Sequence, residues 1–363
     1  MTMKTNERAK YIYLTLQLLP TEKEREALQM TWDNYKKACN TFSRIKYLKL
    51  AKGKHMNVSA CKKEEPKSAR ALAQRLLHAV YENSIKYTVE EAYKNQEDSK
   101  KLALIVFGEY DETNVKLLAI PYFRKPTFTV DFSTKKCRLD LAKNFQKIAF
   151  TIPKGLPEPP ESWEVKRAYL KLIYGTWYLT LGFSNPTIKT EVKPDAHIVG
   201  IDRGEINIAT TYSPDKGAKR YSAKDYYTSC KGGTKDDYHK NLFAKDVIVA
   251  QEIVERESPD TIFVLEDLHF NKLRKGWSYR NFSDAFIYLA ALHHQCVFFC
   301  DPRNTSRTCP KCGEVTNTKR NRDEHRFICC SCGYGEKEIV NDDENAAENI
   351  YLRGRKELLK DDF

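Results

Sequence analysis

Two short apolar runs in this chain each end on a carboxylate. His197 to Ile201 leads into Asp202 within VGIDRGEINIA, and Ile262 to Leu265 leads into Glu266 within IFVLEDL. Unbroken aliphatic and β-branched runs of this length are what a central strand buried on both faces requires, so each acid falls at or near a strand end. Gly200 and Gly204 flank Asp202, and Ile206 and Ile208 alternate after it, which predicts a hairpin that exposes the acid at the edge of a cleft. A lone carboxylate in such a place is costly to bury, and a bound cation removes that cost. Mg2+ prefers oxygen ligands, usually one or two carboxylates together with substrate phosphates.

A third acid, Asp343 in NDDENAAENI, stands ahead of Ala346, Ala347 and Ile350. Small and apolar residues at that spacing let a helix N-terminus lie close to a sheet. The alternative is that Asp343, or Asp342 beside it, merely caps that helix, and for Asp342 this reading stays open. Three converging carboxylates can seat two cations about 4 Å apart, one activating water and one stabilising the leaving oxygen of a phosphodiester. The set Asp202, Glu266 and Asp343 therefore points to metal-dependent nuclease chemistry with Mg2+ or Mn2+.

Cysteine spacing gives a second, independent signal. Cys309-Pro-Lys-Cys312 and Cys329-Cys330-Ser-Cys332 are two C-x-x-C pairs separated by sixteen residues, each followed by a glycine, Gly313 or Gly333. That spacing closes a tetrahedral four-thiolate site, and the expected metal is structural Zn2+. His325 inside the loop reads as an exposed histidine, and Cys330 as a bystander. Cys39, Cys61, Cys137, Cys230, Cys296 and Cys300 show no pairing logic, and the total of eleven is odd, which fits a reducing cytoplasm better than a disulfide framework.

Along the chain, Tyr11 to Leu18 alternates, with Ile12, Leu14, Leu16 and Leu18 on one side, and ends at Pro20. Thr21 and Glu24 then form a capping-box pattern, and Leu28, Trp32, Tyr35, Cys39 and Phe42 recur at helical spacing. A second helical stretch is expected over 68–95 through Leu72, Leu76, Val80 and Tyr87, after a polar break at 62–67. Strands return from 102 to 183, the last two facing each other across Gly175-Thr176. One strand, a helical insertion and more strands suit a β-barrel interrupted by a helical lobe. Helices are expected over 236–257, carrying Phe243, Val247, Ala250 and Val254, and over 284–294, with a strand over 296–300. Helix, strand, then acid is the order an RNase H-like sheet requires.

The 363 residues carry a net charge of +12, and between Asn34 and His78 twelve Lys or Arg face two acids. Such a basic stretch suits salt-sensitive binding of a phosphate backbone, with Lys36, Lys37, Arg44, Lys46, Arg70 and Arg75 as candidate contacts. After the Glu266 motif, Trp277, Tyr279 and Phe282 interleave with Lys272, Arg274, Lys275 and Arg280, a pattern suited to stacking on or gripping a single strand. Lys319-Arg320-Asn321-Arg322 in the cysteine loop is a further basic run, and Arg303 or Arg307 is a candidate guanidinium for charge on the phosphorane. No stretch reads as a secretory leader or as an apolar run of spanning length, so the expectation is a soluble, cytoplasmic, nucleoid-associated chain with no membrane partner.

GIDRGEINIA, VLEDL, PRNTSRTCPKCG, FICCSCG and DENAAENI resemble the successive RuvC and zinc-knuckle motifs of TnpB, the RNA-guided endonuclease of insertion sequences, a pattern shared with miniature type V-F CRISPR effectors. The resemblance is specific from about residue 166 to 350. Two departures stand out: Arg307 replaces a common Gln, and the stretch from 268 to 296 is short. The resemblance implies an α+β and α/β multidomain chain: a wedge β-barrel (1–20 and 101–184) interrupted by a helical recognition lobe (21–100), a linker (185–193), and an RNase H-like RuvC nuclease (194–308 and 336–363) with an inserted four-cysteine zinc knuckle (309–335). It implies that Asp202, Glu266 and Asp343 are metal-binding catalytic acids, and that guide RNA and a double-stranded DNA target are partners. A separately encoded transposase would perform transposition proper. Two other readings stay open: a guided DNA-binding repressor without cleavage, and a DDE-type transposase.

Overall fold

A computed structural model describes residues 10–53, 68–94, 102–108, 120–125, 127–141, 144–187, 192–204, 206–222, 235–268, 279–321 and 323–359. The chain forms two compact units, one of Thr15–Ile152 and Val165–Gly182, the other of Met1–Leu14, Pro153–Glu164 and Phe183–Phe363. No helix among the described residues is long and apolar enough to cross a membrane.

Strand β1 (Tyr11–Leu19), divided between the two units after Leu14, alternates as its sequence predicts, with Ile12, Leu14, Leu16 and Leu18 all buried. Helix α1 (Glu22–Gly53) begins with a reciprocal capping box: the Thr21 N–H donates to Glu24 Oε2 at 2.8 Å, and the Glu24 N–H donates to Thr21 Oγ1 at 3.4 Å. Its buried stripe is Leu28, Trp32, Tyr35 and Cys39, then Ser43, while the expected Phe42 is only half-buried. The second helical stretch is broken. Helix α2 (Ala69–Leu76), capped by Ser68, stops at Leu77, a 3₁₀ turn covers Ala79–Tyr81, and α3 (Glu82–Lys94) follows. The break shifts the helical phase, so Leu77, Tyr81, Ile85, Val89 and Tyr93 are buried, whereas the expected Val80 and Tyr87 are exposed. Tyr35 Oη lies 2.8 Å from both Ser84 and Thr88 hydroxyls, a buried polar tie between α1 and α3.

Strands β2 (Tyr122–Phe123), β3 (Phe128–Asp131), β4 (Lys136–Leu141), β5 (Asn144–Thr151), β6 (Val165–Ile173) and β7 (Thr176–Ser184) join β1 in a curled antiparallel sheet ordered β2-β6-β7-β1-β5-β4-β3. Among the described residues no ladder joins β2 to β3, so this is a half-barrel with two edges rather than the closed barrel expected. The β6–β7 turn is Tyr174-Gly175, both at positive φ (48° and 80°), one residue earlier than the sequence suggested.

The other unit contains a mixed five-stranded sheet. Its strands are β8 (Ile198–Asp202), β9 (Asn207–Ser213), β10 (Gly217–Ser222), β11 (Ile262–Glu266) and β12 (Cys296–Cys300), in the order β10-β9-β8-β11-β12. Strand β11 runs parallel to both β8 and β12, while β9 is antiparallel to β8 and to β10. Helices α4 (Lys235–Arg256) and α5 (Tyr279–Leu292) pack on each other, and α5 covers one face of the sheet through Phe286 on Phe263, ring centroids 4.9 Å apart. The other face carries Ile198, Ile262, Val264, Cys296 and Cys300, packed against Ile350, Tyr351 and Leu358 of α6 (Asp342–Leu359). Apolar runs without alternation follow directly from this double cover. Ile206 stands before β9 and is exposed, so only Ile208 of the expected pair is core. A small antiparallel sheet of β13 (Thr318–Asn321), β14 (Arg326–Cys329) and β15 (Val340–Asn341) leads into α6.

Close approach of α6 to the sheet depends on glycine. A Cβ on Gly200 would lie 2.5 Å from the Tyr351 backbone N and within overlap of the Ala347 carbonyl oxygen. Neither is a movable side-chain end. Gly200→Ala is therefore expected to cost roughly 3 kcal/mol by forced displacement of the helix, or about 6–12 °C of Tm for a unit of this size. A thermal melt within a degree or two of the parent would refute this packing.

Candidate functional site

Side-chain alternation puts Gly200 and Asp202 of β8, and Val264 and Glu266 of β11, on the sheet face that α6 covers. Leu265 pairs with Ile201, so Glu266 and Asp202 are next in register on neighbouring parallel strands, about 4.8 Å apart in the pairing direction. Helix α6 then brings the third acid. Ala347 lies on Gly200, and Asp343 is one helical turn before Ala347, just as Asp202 is one pleat beyond Gly200. Asp343 thereby faces the ends of β8 and β11, and the charges of Glu266 and Asp343 both act on Asp202. Glu266 and Asp343 are buried, while Asp202 keeps partial access to solvent.

Two of the acids are oriented by a neighbour. The Thr305 hydroxyl donates to Glu266 Oε1. Asn207 Nδ2 donates to Asp343 Oδ2 at 2.7 Å. Arg203 donates to the Glu266 carbonyl at 2.5 Å and to the Ser283 hydroxyl, which fixes its guanidinium beside the pocket. Arg320 donates through Nε to Asp342 Oδ2 at 2.5 Å and lies 3.6 Å from Asp343 Oδ1.

Burial, above all, holds Asp202 well above the usual carboxylate range, and the charges of Glu266 and Asp343 push it further, against the pull of Arg320 and Arg203. Glu266 is raised by burial and eased by the Thr305 hydrogen bond and by Arg203. Asp343 is raised by burial and eased chiefly by Asn207. Three guanidiniums, of Arg203, Arg320 and Arg353, beside four carboxylates, counting Asp342, leave negative charge in excess. That is the environment in which a divalent cation is stabilised.

Asp342 is not the helix cap. Asn341 Oδ1 accepts from the Asp343 and Glu344 N–H groups, at 3.0 and 3.3 Å, which makes Asn341 the N-cap. Asp342 is instead buried between Arg320 and His325, whose Nδ1 is 3.4 Å from its Oδ1. His325 is accordingly half-buried at an acid rather than an exposed loop residue.

The four cysteines form two matching knuckles. The Cys309 N–H donates to the Glu314 carbonyl and the Gly313 N–H to the Cys309 carbonyl; in the second knuckle, likewise, the Cys329 N–H donates to Tyr334 and the Gly333 N–H to Cys329. Gly313 and Gly333 hold φ of 75° and 76°, where a Cβ would strain the turn. Cys309, Cys312, Cys329 and Cys332 place all four sulfurs within 4.8 Å of one another, with Sγ–Sγ distances of 3.6 Å for 309–332 and 312–329. Four Zn–S bonds of about 2.3 Å in a tetrahedron separate sulfurs by about 3.8 Å, so the donor set fits zinc. This four-cysteine cluster and the group His325, Asp342 and Asp343 can each coordinate a metal ion. Cys330 is exposed and outside the cluster. Cys39, Cys137, Cys296 and Cys300 are buried free thiols, and burial pushes Cys137 and Cys300 up to about 12, so they are inert. Cys61 and Cys230 lie outside the described residues.

The expected nucleic-acid contacts divide. Lys37, Arg44, Arg70 and Arg75 are exposed or partly so, and Lys36 and Lys46 half-buried, on α1 and α2. Lys272, Arg274, Lys275, Trp277 and Arg322 lie outside the described residues, as do the side chains of Tyr279 and Arg280. Phe282 is fully buried and stacks on Phe286 at 5.7 Å, so it is core rather than a stacking platform. Arg303 and Arg307 are exposed, Arg303 paired with Asp301 at 3.6 Å; the guanidiniums that act on the acids are those of Arg203, Arg320 and Arg353. Arg320 was legible only as part of a basic run, and Thr305, Asn207 and Arg203 gave no signal beyond lying near motif residues.

A family profile described as "Cas12f1-like, TNB domain" matches residues 279–350. Over 104 residues, 27% of this chain, the sequence is 33% identical to a "CRISPR-associated endodeoxyribonuclease Cas12f1" of an uncultured archaeon, and the match spans 19% of that relative's length. Among solved structures, a Cas12f1-sgRNA-target DNA complex aligns over 94% of this chain and 98% of that one, at 17% identity and a TM-score of 0.34. A CasPhi-2 (Cas12j) structure bound to crRNA aligns over 96% and 98%, at 12% identity and a TM-score of 0.32. The segment that carries the cysteine knuckle, Arg320 and Asp343 is thus Cas12f1-like in sequence.

Proposed function

We propose that this chain is an RNA-guided DNA endonuclease of the TnpB type, with Asp202, Glu266 and Asp343 as the metal-binding catalytic acids of an RNase H-like, RuvC-type centre. What supports the reading is that Asp202 and Glu266 end neighbouring parallel strands in next register, Asp343 starts the helix packed on Gly200, and the charges of Glu266 and Asp343 both act on Asp202. Sequence similarity of the 279–350 segment to Cas12f1-type chains, and of 104 residues to an endodeoxyribonuclease, supports the same class. The mixed sheet, with a hairpin on one side of β8 and parallel strands on the other, suits an RNase H-like domain.

Mg2+ or Mn2+ held by the three carboxylates would supply a water of lowered pKa and charge stabilisation at the leaving oxygen. The chain's own residues do the rest. Thr305 and Asn207 each occupy one oxygen of Glu266 and Asp343 and so fix the direction of the other. Arg203, anchored at both ends of its guanidinium, balances charge without entering the pocket. Arg320 stands where it can meet a phosphate once Asp343 is engaged elsewhere. The exposed cations of α1 and α2 give the guide RNA a phosphate-binding face, and pairing of guide with target selects the sequence next to a short flanking motif.

The test begins with sequencing the RNA that co-purifies with the full chain. A discrete species is expected, and replacing its guide segment should redirect cleavage of duplex DNA to the new matching site in the presence of Mg2+. Cleavage indifferent to the guide, or joining of 3′ ends to target DNA without RNA, would overturn the proposal in favour of a transposase.

A further inference from the structure

Three metal-ligating atoms meet at the junction of the cysteine hairpin and α6, beside the acid pocket but not across it. They are one ring nitrogen of His325 and one carboxylate oxygen each of Asp342 and Asp343, all within 4.8 Å of one another. Asp342 is 1% exposed, and its Oδ1 has no hydrogen-bond partner. A buried carboxylate oxygen left in that state is costly, and it points towards the His325 ring 3.4 Å away. The remaining oxygens are occupied: Arg320 Nε takes Asp342 Oδ2, and Asn207 Nδ2 takes Asp343 Oδ2. Asp342 is therefore held by one oxygen with the other left for a ligand, the way outer hydrogen bonds orient metal ligands, while Asp343 Oδ1 faces Arg320 at 3.6 Å. The frame is rigid. His325 sits at φ 50° in the β13–β14 turn, and its carbonyl accepts the Asp342 N–H at 3.2 Å, so the turn and the helix start are clamped together.

We infer that His325, Asp342 and Asp343 form a separate divalent-cation site that takes a first-row transition metal in preference to Mg2+. The imidazole decides the class, because Mg2+ is a hard cation that favours oxygen, whereas a nitrogen ligand suits transition metals. Two carboxylates against the single charge of Arg320 leave a net negative charge for the ion to neutralise. The site goes beyond the nuclease reading: it shares Asp343 with that centre but needs neither Asp202 nor Glu266.

The experiment uses the full chain with its cysteine zinc retained and weaker metals removed by dialysis, titrated with Mn2+ and followed by electron paramagnetic resonance. The double variant Asp202→Asn/Glu266→Gln, which disables the proposed catalytic centre, should still bind one Mn2+ that an equal concentration of Mg2+ fails to displace. Adding His325→Ala should weaken that binding at least about tenfold with the zinc count unchanged. Pulsed measurements on the unsubstituted chain should show 14N coupling from a bound imidazole, a reading that does not depend on how well any variant folds. Absence of the 14N coupling, loss of all Mn2+ in the double variant, ready displacement by Mg2+, or an unchanged titration in His325→Ala would each overturn the site. Loss of DNA cleavage in Asp202→Asn together with retained Mn2+ would separate this site from the nuclease proposal.

Discussion

Asp202→Asn is expected to abolish DNA cleavage, with kcat falling at least about 10³-fold, the upper end of what a single stabilising donor supplies in other active sites and about 4 kcal/mol of barrier. Glu266→Gln and Asp343→Asn should fall as far, and pairs of these changes no further, because residues that seat one group act as a unit. The same substitution should stabilise the metal-free protein. Burial raises the folded-state pKa of all three acids. The native state therefore binds protons more tightly than the unfolded chain, and stability falls as pH rises from the ordinary carboxylate range near 4 through the raised values. At neutral pH the charged form of Asp202 opposes folding unless a cation is bound. Removing that charge should add about 1 kcal/mol, a rise of a few degrees in Tm, and cancel the further rise that Mg2+ gives the parent. Differential scanning calorimetry with and without cation, beside a cleavage assay, checks both halves. A fully active Asp202→Asn, or one that melts below the metal-free parent, would remove the acid pocket from the mechanism.

Local chemistry is what the sequence made visible. The Ile12–Leu18 alternation, the Thr21–Glu24 box, the apolar runs before Asp202 and Glu266 and the paired cysteines each depend on residues within a few positions of one another, and all are found where the pattern puts them. What escaped depends on distant partners. The Leu77 break reverses which residues of 77–93 face the core, and the resulting stripe is set by packing on α1 rather than by an unbroken helical period. Tyr174 takes a positive φ that nothing in a tyrosine announces. Phe282 belongs to the core because Phe286 stacks on it, although Lys275 and Arg280 stand shortly before it in the sequence. Arg320 reaches Asp342 across 22 residues, and Thr305 reaches Glu266 across 39, distances over which no periodicity carries information.

Removing the zinc should disable the acid pocket although no cysteine touches it. Helix α6 is tied to the knuckle at several points. Lys311, between the first two cysteines, pairs with Glu348 at 3.1 Å, and the Tyr334 hydroxyl donates to the same carboxylate at 3.5 Å. Asn349 Nδ2 donates to the Thr305 and Thr308 carbonyls, at 2.9 and 2.7 Å, just before Cys309. Arg320 holds Asp342 from β13, and β14 pairs with β15, the two residues that lead into α6. Apart from Phe327 and its neighbours Tyr334 and Val340, the hairpin has little apolar core of its own, so a metal held by the four cysteines would supply its stability; structural zinc in small modules contributes on the order of 10 kcal/mol. Cys309→Ser, or a strong chelator, is expected to leave the five-stranded sheet folded, melt β13 and β14, and free the first turn of α6 that carries Asp343. Cleavage should drop at least about 100-fold, the upper range for loss of groups that orient metal ligands, and hydrogen exchange should rise in 309–345 while β8 and β11 stay protected. Restoring zinc to the chelated parent should recover both. If the zinc-free chain cut DNA at the normal rate with unchanged exchange around Asp343, the knuckle would be a separate appendage and the third acid would be held by the sheet alone.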